Sequence, residues 1–320
     1  MKRQNLDNAV VLSATGPLRP PALHMEVAGD DRMLLRQHGL AILLGRIDAA
    51  RTGVELFRRD GFRSPFPRLE PAAQAGPETD ARWLSCFADL LTGADNSPLH
   101  PGRWLLEPRR RLTPGSWAGE LVRDWPGGYL NWRRGCTAVV PLRPLTEPDA
   151  PWMPALREGA RAGVLAPVLL WEVSGLDGWV ILDGHDRAVA ALAEDREPAA
   201  IVLARGWSTA RQTEAILGTV DHQRKVLAGL RDDRARRAAA ERMGAGMARF
   251  AYGHERTMAW PVPGGVAGWT EALMDYRGAQ RLLPEPGHSR DDTPATLVTE
   301  LTSSYRSRTW TPAPGDRPAH

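Results

Sequence analysis

The chain has little cysteine, little lysine and no long apolar segment. Its two cysteines, Cys86 and Cys136, lie far apart, which argues against a disulfide framework and against a zinc site. Lys2 and Lys225 are the only lysines, so arginine carries nearly all of the positive charge. The longest apolar run, residues 40–44, is far too short to cross a membrane, and no signal-peptide core is recognisable near the start. We therefore expect a cytoplasmic protein with no membrane partner.

The remaining composition is that of an ordinary globular protein. Of 320 residues, 42% are hydrophobic and 25% are charged, and this length is compatible with two domains. The net charge of +3 is too weak to indicate an electrostatic partner. Tryptophan is unusually common, with 12 residues against 5 phenylalanines and 4 tyrosines. We interpret the tryptophans as packing residues between the N-terminal region and the segment that follows it.

The first part of the chain alternates short apolar runs with turn residues. This pattern predicts strands over 24–27, 33–35 and 40–44, which together form a β-meander. A helix is then predicted from about Asp80, since large apolar residues recur there at helical spacing. The apolar face of this helix consists of Trp83, Leu84, Phe87, Leu90 and Leu91.

From residue 137 onwards, apolar runs alternate with helical patterns. The sequence predicts a helix over 152–161, strands over 167–173 and 179–182, a helix over 185–193 and a strand over 200–204. Strands that alternate with short helices are typical of an α/β unit.

Residues 156–204 resemble the core of the ParB/sulfiredoxin superfamily. The segment Gly163-Val-Leu-Ala-Pro167 matches the link from a helix into a strand, and Asp183-Gly-His-Asp-Arg187 matches the signature at which a helix begins. The resemblance covers about residues 137–205. It implies an α/β (α+β) core of short strands and helices, flanked here by a β-rich, tryptophan-containing N-terminal region and a helical C-terminal region.

The signature departs from two branches of this superfamily. The signature has no cysteine. Because the resemblance implies that sulfiredoxin chemistry requires a cysteine nucleophile, sulfiredoxin activity is excluded. Asp186 stands where ParB-type DNA clamps have an arginine, and it is either a metal ligand or a solvated acid of the first helical turn. The Asp-Gly-His-x-Arg form is closer to the free-serine-kinase branch. That likeness makes Glu147 a candidate catalytic base, with an ordinary loop carboxylate as the alternative.

The chemistry of the signature is that of a phosphate site. Gly184 permits a tight turn, and the first amides of the following helix are available to an anion. Arg187 can clamp a phosphate, and His185 can donate to it or act catalytically as a proton shuttle. Asp183 is the candidate Mg²⁺ ligand, with Asp186 completing the candidate ligand-binding set.

These residues also have structural alternatives. Asp183 can cap the helix, as aspartate often does. His185 can serve as a structural hydrogen-bonding group, and Arg187 can form an ion pair with Glu194 or Asp195.

The patterns divide the chain into four parts. Residues 1–135 form the N-terminal region, which has no assigned role, and 136–207 form the ParB/sulfiredoxin-like domain. Residues 208–283 are predicted to be helical. The last part, 284–320, is rich in proline, serine and threonine, and we expect it to be a mobile tail.

A charged segment over 231–242 contains five arginines against three acids. Arg231, Arg234 and Arg237 are the candidate nucleic-acid contacts on it, and a solvated face with ion pairs is the alternative.

Three functions remain open on this evidence. The leading hypothesis is that the turn Gly184–Arg187 binds a nucleotide (ATP, ADP or CTP) or another phosphorylated ligand. Phosphoryl transfer or hydrolysis with Mg²⁺ is left open. The alternatives are a non-catalytic, ParB-like DNA-associated protein and a protein-interaction adaptor. An open cleft lined by Glu147, His185 and Arg187 would favour the first, a continuous basic face the second, and a turn filled by side chains the third.

Overall fold

The computed structural model contains two mixed β-sheets and five helices in the part of the chain that it describes. Those residues are 1–67, 80–109, 112, 116–117, 125–132, 138–229, 232, 234, 237, 239, 253–276, 282 and 311–312. The mixture of sheets and helices confirms the expected α+β class.

The strands are short and the helices mostly moderate in length. The strands are β1 (Lys2–Leu6), β2 (Ala9–Ala14), β3 (Leu23–Ala28), β4 (Arg32–Gln37), β5 (Leu40–Ile47), β6 (Gly53–Arg58), β7 (Gly102–Arg109), β8 (Gly127–Asn131), β9 (Val139–Val140), β10 (Val168–Val173), β11 (Gly178–Asp183), β12 (Ala200–Arg205), β13 (Met258–Pro261) and β14 (Thr311–Pro312). The helices are α1 (Asp80–Gly93), α2 (Met153–Ala162), α3 (His185–Leu192), α4 (Thr209–Gly229) and α5 (Gly265–Met274).

The first sheet joins N-terminal strands to the strands of the predicted module. Its order is β1-β2-β7-β12-β10-β11-β9. β10 and β11 form an antiparallel hairpin, and β12 returns parallel to β10 after the crossover through α3. Antiparallel pairing of β7 with β12 then connects the two parts of the chain. Residues before 136 and residues of 136–207 therefore share one sheet.

The second sheet is built on the predicted meander. Its order is β14-β13-β3-β4-β5-β6-β8, and the predicted strands 24–27, 33–35 and 40–44 lie within β3, β4 and β5. β13 lies in the region predicted to be helical and pairs parallel to β3. β14 lies in the predicted tail and pairs with β13. Neither strand has an alternating pattern that sequence analysis could detect, because both are very short.

One hydrophobic core cluster, the most extensive among the described residues, joins both sheets and α1. Leu12 and Trp104 of the first sheet, Leu35 of the second and Phe87 of α1 are buried in the same cluster as Leu169 of β10. The predicted apolar face of α1 is confirmed, with its residues buried or packed against this core.

The side chain of Trp132 also connects the N-terminal region to the module. The indole Nε1 of Trp132 donates a hydrogen bond to the backbone oxygen of Leu176 over 3.0 Å. This contact agrees with the interpretation of the tryptophans as packing residues.

The helices of the module begin and end near their predicted positions. α2 ends at Gly163, whose φ of 71° is left-handed, and α3 follows directly on Gly184. None of the five described helices is both long enough and apolar enough to span a membrane.

Candidate functional site

The predicted signature forms the turn between β11 and α3. Gly184 has a φ of 93°, which is a left-handed conformation that side chains other than glycine rarely adopt. A Cβ atom at this position would lie 2.7 Å from Nη2 of Arg187. Glycine is therefore required both by the backbone conformation and by the arginine that folds back over the turn.

Arg187 is held inside the protein. Its Nη2 donates to Oδ2 of Asp183 over 2.7 Å and to the backbone oxygen of Pro167 over 3.0 Å. The side chain is only 7% exposed, and its Nε is buried without a hydrogen-bond partner among the described residues. The ion pair with Glu194 or Asp195 is not formed; Glu194 pairs with Arg157 instead.

Asp183 is bonded through both carboxylate oxygens. Oδ2 accepts from Arg187, and Oδ1 accepts from the hydroxyl of Ser64 over 2.9 Å. It does not cap α3, which has no side-chain cap from any residue that the structure describes. With a guanidinium already against it, this carboxylate does not fit a resident Mg²⁺ ion. Nor do any three His, Cys, Asp or Glu side chains of the described residues come together as a metal site.

His185 is buried with a defined hydrogen bond. Its Nε2 accepts the backbone N–H of Leu142 over 3.2 Å, so the proton of the neutral ring lies on Nδ1. Burial lowers the pKa of His185 well below its ordinary value, and the charges of Arg143 and Arg187 lower it further. The ring of Phe62 lies 5.9 Å from the imidazole. This arrangement suits a structural histidine better than a proton shuttle.

Asp186 faces a loop that lies between β9 and α2. Its Oδ1 accepts from Nη2 of Arg143 and from the hydroxyl of Thr146, both over 2.8 Å. The carboxylate is therefore paired rather than simply solvated. Glu147, the next residue along, is exposed, and no hydrogen bond of the described residues joins its carboxylate to the turn.

The structure thus brings Asp183 through Arg187 together, as their sequence proximity requires, and leaves Glu147 outside the hydrogen-bonded cluster. Sequence analysis missed the partners that come from elsewhere in the chain. Arg143 and Thr146 lie 43 and 40 residues before Asp186, and no pattern connects them to the signature. Ser64 lies in a proline-containing segment for which the sequence indicates no role.

The basic segment gives little geometry for a nucleic-acid interface. Arg231 lies outside the described residues. Arg234 and Arg237 are helical and exposed, so a nucleic-acid contact through them stays a prediction.

Comparisons of the chain with known protein families, with curated proteins and with solved structures find no match.

Proposed function

We propose that the chain binds a phosphorylated small molecule at the N-terminus of α3. Where this ligand is a nucleotide, we propose that it is ATP, ADP or CTP. The proposal rests on the ParB/sulfiredoxin-like signature together with one observation. Arg143 reaches the first turn of α3 from a separate loop, and its side chain remains 39% exposed.

The first turn of α3 offers backbone donors beside this arginine. The first intrahelical bond runs from the Ala188 N–H to the Gly184 oxygen, so the three preceding amides are not used by the helix itself. No side chain in the described part of the chain caps them. Amides at a helix N-terminus attract anions, aided by the helix dipole, and an arginine nearby adds a charge-assisted hydrogen bond.

Asp186 balances Arg143 when no ligand is bound. Arg143 uses only Nη2 in this pair among the described residues, which leaves the rest of its guanidinium for a phosphate. A bound phosphate competes with Asp186 for Arg143, so we expect the affinity of the chain for the phosphate to be moderate.

We propose binding rather than phosphoryl transfer. His185 has its Nε2 engaged by Leu142, and Glu147 is exposed outside the cluster. Neither group is positioned as a base, and no step is assigned to a metal ion. Among the described residues, the turn therefore offers a cradle for the phosphate, and neither His185 nor Glu147 is placed to carry a proton.

A protein-interaction adaptor is the second candidate. It is favoured by the way in which the charged groups of the turn satisfy one another: Asp183 pairs with Arg187, and Asp186 pairs with Arg143. A turn filled by its own side chains is what we expect when the superfamily fold is retained for interaction alone.

Calorimetric titration distinguishes the two candidates. ATP, ADP, CTP and inorganic phosphate are titrated into the wild-type chain, with and without Mg²⁺. Arg143→Ala is expected to weaken binding about ten-fold, the effect of one charge-assisted hydrogen bond. Arg161→Ala is the matched control, because Arg161 is also a surface arginine paired with an acid, and it should bind as the wild type does. Absence of saturable binding, or equal binding by Arg143→Ala, would reject the phosphate site in favour of the adaptor.

A further inference from the structure

A cleft of about 250 Å³ lies between α2, α3 and the start of β12. Its walls are largely apolar, and its polar side chains are two arginines and one glutamate. The apolar wall includes Leu165, Val168, Ala191 and Pro198; the polar residues are Arg187, Arg196 and Glu197.

Arg187 brings a buried positive charge to this cleft. Asp183 and the Pro167 oxygen both hold its Nη2, so the guanidinium is fixed in position before any ligand arrives. Within the described residues, Nη1 has no hydrogen-bond acceptor, and it is not among the fully buried atoms that lack one. A fixed donor group in an apolar setting is the usual means by which a small-molecule site orients its ligand.

Arg196 adds a second positive charge at the rim. Its side chain is exposed and makes no ion pair with any described residue. Its Nη1 lies 3.9 Å from the position that a Cβ atom on Gly163 would occupy. The third charged group, Glu197, is directed elsewhere, because its Oε1 accepts the Leu112 N–H over 2.9 Å.

We propose that this cleft binds a small monocarboxylate with a short apolar body. The carboxylate lies between Arg187 and Arg196, and the apolar body packs against Leu165, Val168 and Pro198. Asp183 balances the charge of Arg187, and Glu197 balances that of Arg196. The cleft therefore offers directed guanidinium donors without a large excess of positive charge, which suits one carboxylate better than two.

The size of the cleft supports the same ligand class. Drug-sized ligands occupy cavities of about 300–1,000 Å³, so this cleft of about 250 Å³ suits a ligand smaller than that class. With so few atoms, the ligand binds with a Kd of about 1 mM. The site is separate from the amides and Arg143 of the proposed phosphate site and does not depend on it.

Butyrate is the probe, and butyramide is its uncharged counterpart of similar shape. Two-dimensional NMR titration of the full chain should show saturable shifts with butyrate, centred on residues 160–168 and 187–199, and at least ten-fold weaker binding of butyramide. Arg196→Ala should weaken butyrate binding by about ten-fold. Ala191→Leu fills the cleft and should abolish butyrate binding, while Arg161→Ala should leave butyrate binding unchanged.

Phosphate titrations separate this proposal from the previous one. Arg196→Ala and Ala191→Leu should leave phosphate binding unchanged, so either site can fail without the other. Equal binding of butyrate and butyramide would overturn the carboxylate assignment. Unchanged butyrate binding by both Arg196→Ala and Ala191→Leu, or no saturable shift in the wild type, would overturn the site. If Ala191→Leu does not fold, Arg196→Ala decides alone, since it alters only an exposed side chain.

Discussion

The imidazole of His254 donates through Nδ1 to the Glu172 carboxylate across 2.9 Å. Its Nε2 lies 3.6 Å from the carboxylate of Glu107 on the neighbouring part of the sheet. One histidine therefore stands between acids of β10 and β7. The next residue, Glu255, donates its N–H to the backbone oxygen of Arg205. Together, the contacts of His254 and Glu255 help to hold the segment that leads into β13.

Stability is expected to fall as the pH rises through the pKa of His254. Burial lowers this pKa, but the hydrogen bond and charge of Glu172 and the charge of Glu107 outweigh burial and the charge of Arg109, so the pKa is raised overall. A raised pKa in the folded state stabilises the fold fully below the unfolded value of about 6.5, and this contribution is lost at higher pH. Denaturant unfolding of His254→Gln should show about 1 kcal/mol less stability at low pH and a flatter pH profile. Glu172→Gln should flatten the profile too; a slope unchanged in both variants would contradict the assignment.

His185 should show the opposite dependence. Its pKa is lowered in the folded state, so the unfolded chain binds the extra proton and stability falls as the pH drops below about 6.5. His185→Phe removes the acceptor of the Leu142 N–H and should cost about 1–3 kcal/mol in urea unfolding, the cost of an unsatisfied buried donor. His222→Phe, on the exposed surface of α4, is the control and should change stability by less than about 0.5 kcal/mol. Equal stability of the two variants would show that the Leu142 contact contributes nothing.

Two glycine substitutions should act in opposite directions. Gly184→Ala places a methyl group in a left-handed residue and 2.7 Å from Arg187, so we expect a loss of about 1–3 kcal/mol. Gly218→Ala lies within α4, where a Cβ atom meets nothing within 4 Å, and should gain about 0.5–1 kcal/mol because alanine favours the helix. Thermal unfolding measures both. A neutral Gly184→Ala would mean that the turn adapts without strain.

The elements found by sequence analysis are those with strong local patterns. The apolar periodicity of α1 and the glycine that precedes α3 both appear in a few neighbouring residues, and both predictions were correct. β13 could not be found in this way, because its four residues form a strand only through pairing with the distant strands β3 and β14.

The same distinction between local pattern and tertiary contact applies to the candidate site. Its own residues were evident from the signature, whereas their partners depend on tertiary structure. Ser64 reaches Asp183 across 119 positions of sequence, and nothing around Ser64 indicates that contact. For the same reason the sequence left the role of His185 open, because only the position of the Leu142 amide shows which ring nitrogen is engaged.

The ion pair of Asp183 and Arg187 provides the last test. Both side chains are buried, with exposed fractions of 13% for Asp183 and 7% for Arg187. Removing one partner leaves the other charge buried and unpaired, so Arg187→Met should cost about 3–5 kcal/mol. Asp183→Asn keeps a hydrogen-bond acceptor for Arg187 and should cost less. In the double variant neither charge remains, and the loss should be smaller than the sum of the two single losses. Urea unfolding of all four proteins measures this coupling, and strictly additive losses would show that the two side chains act independently.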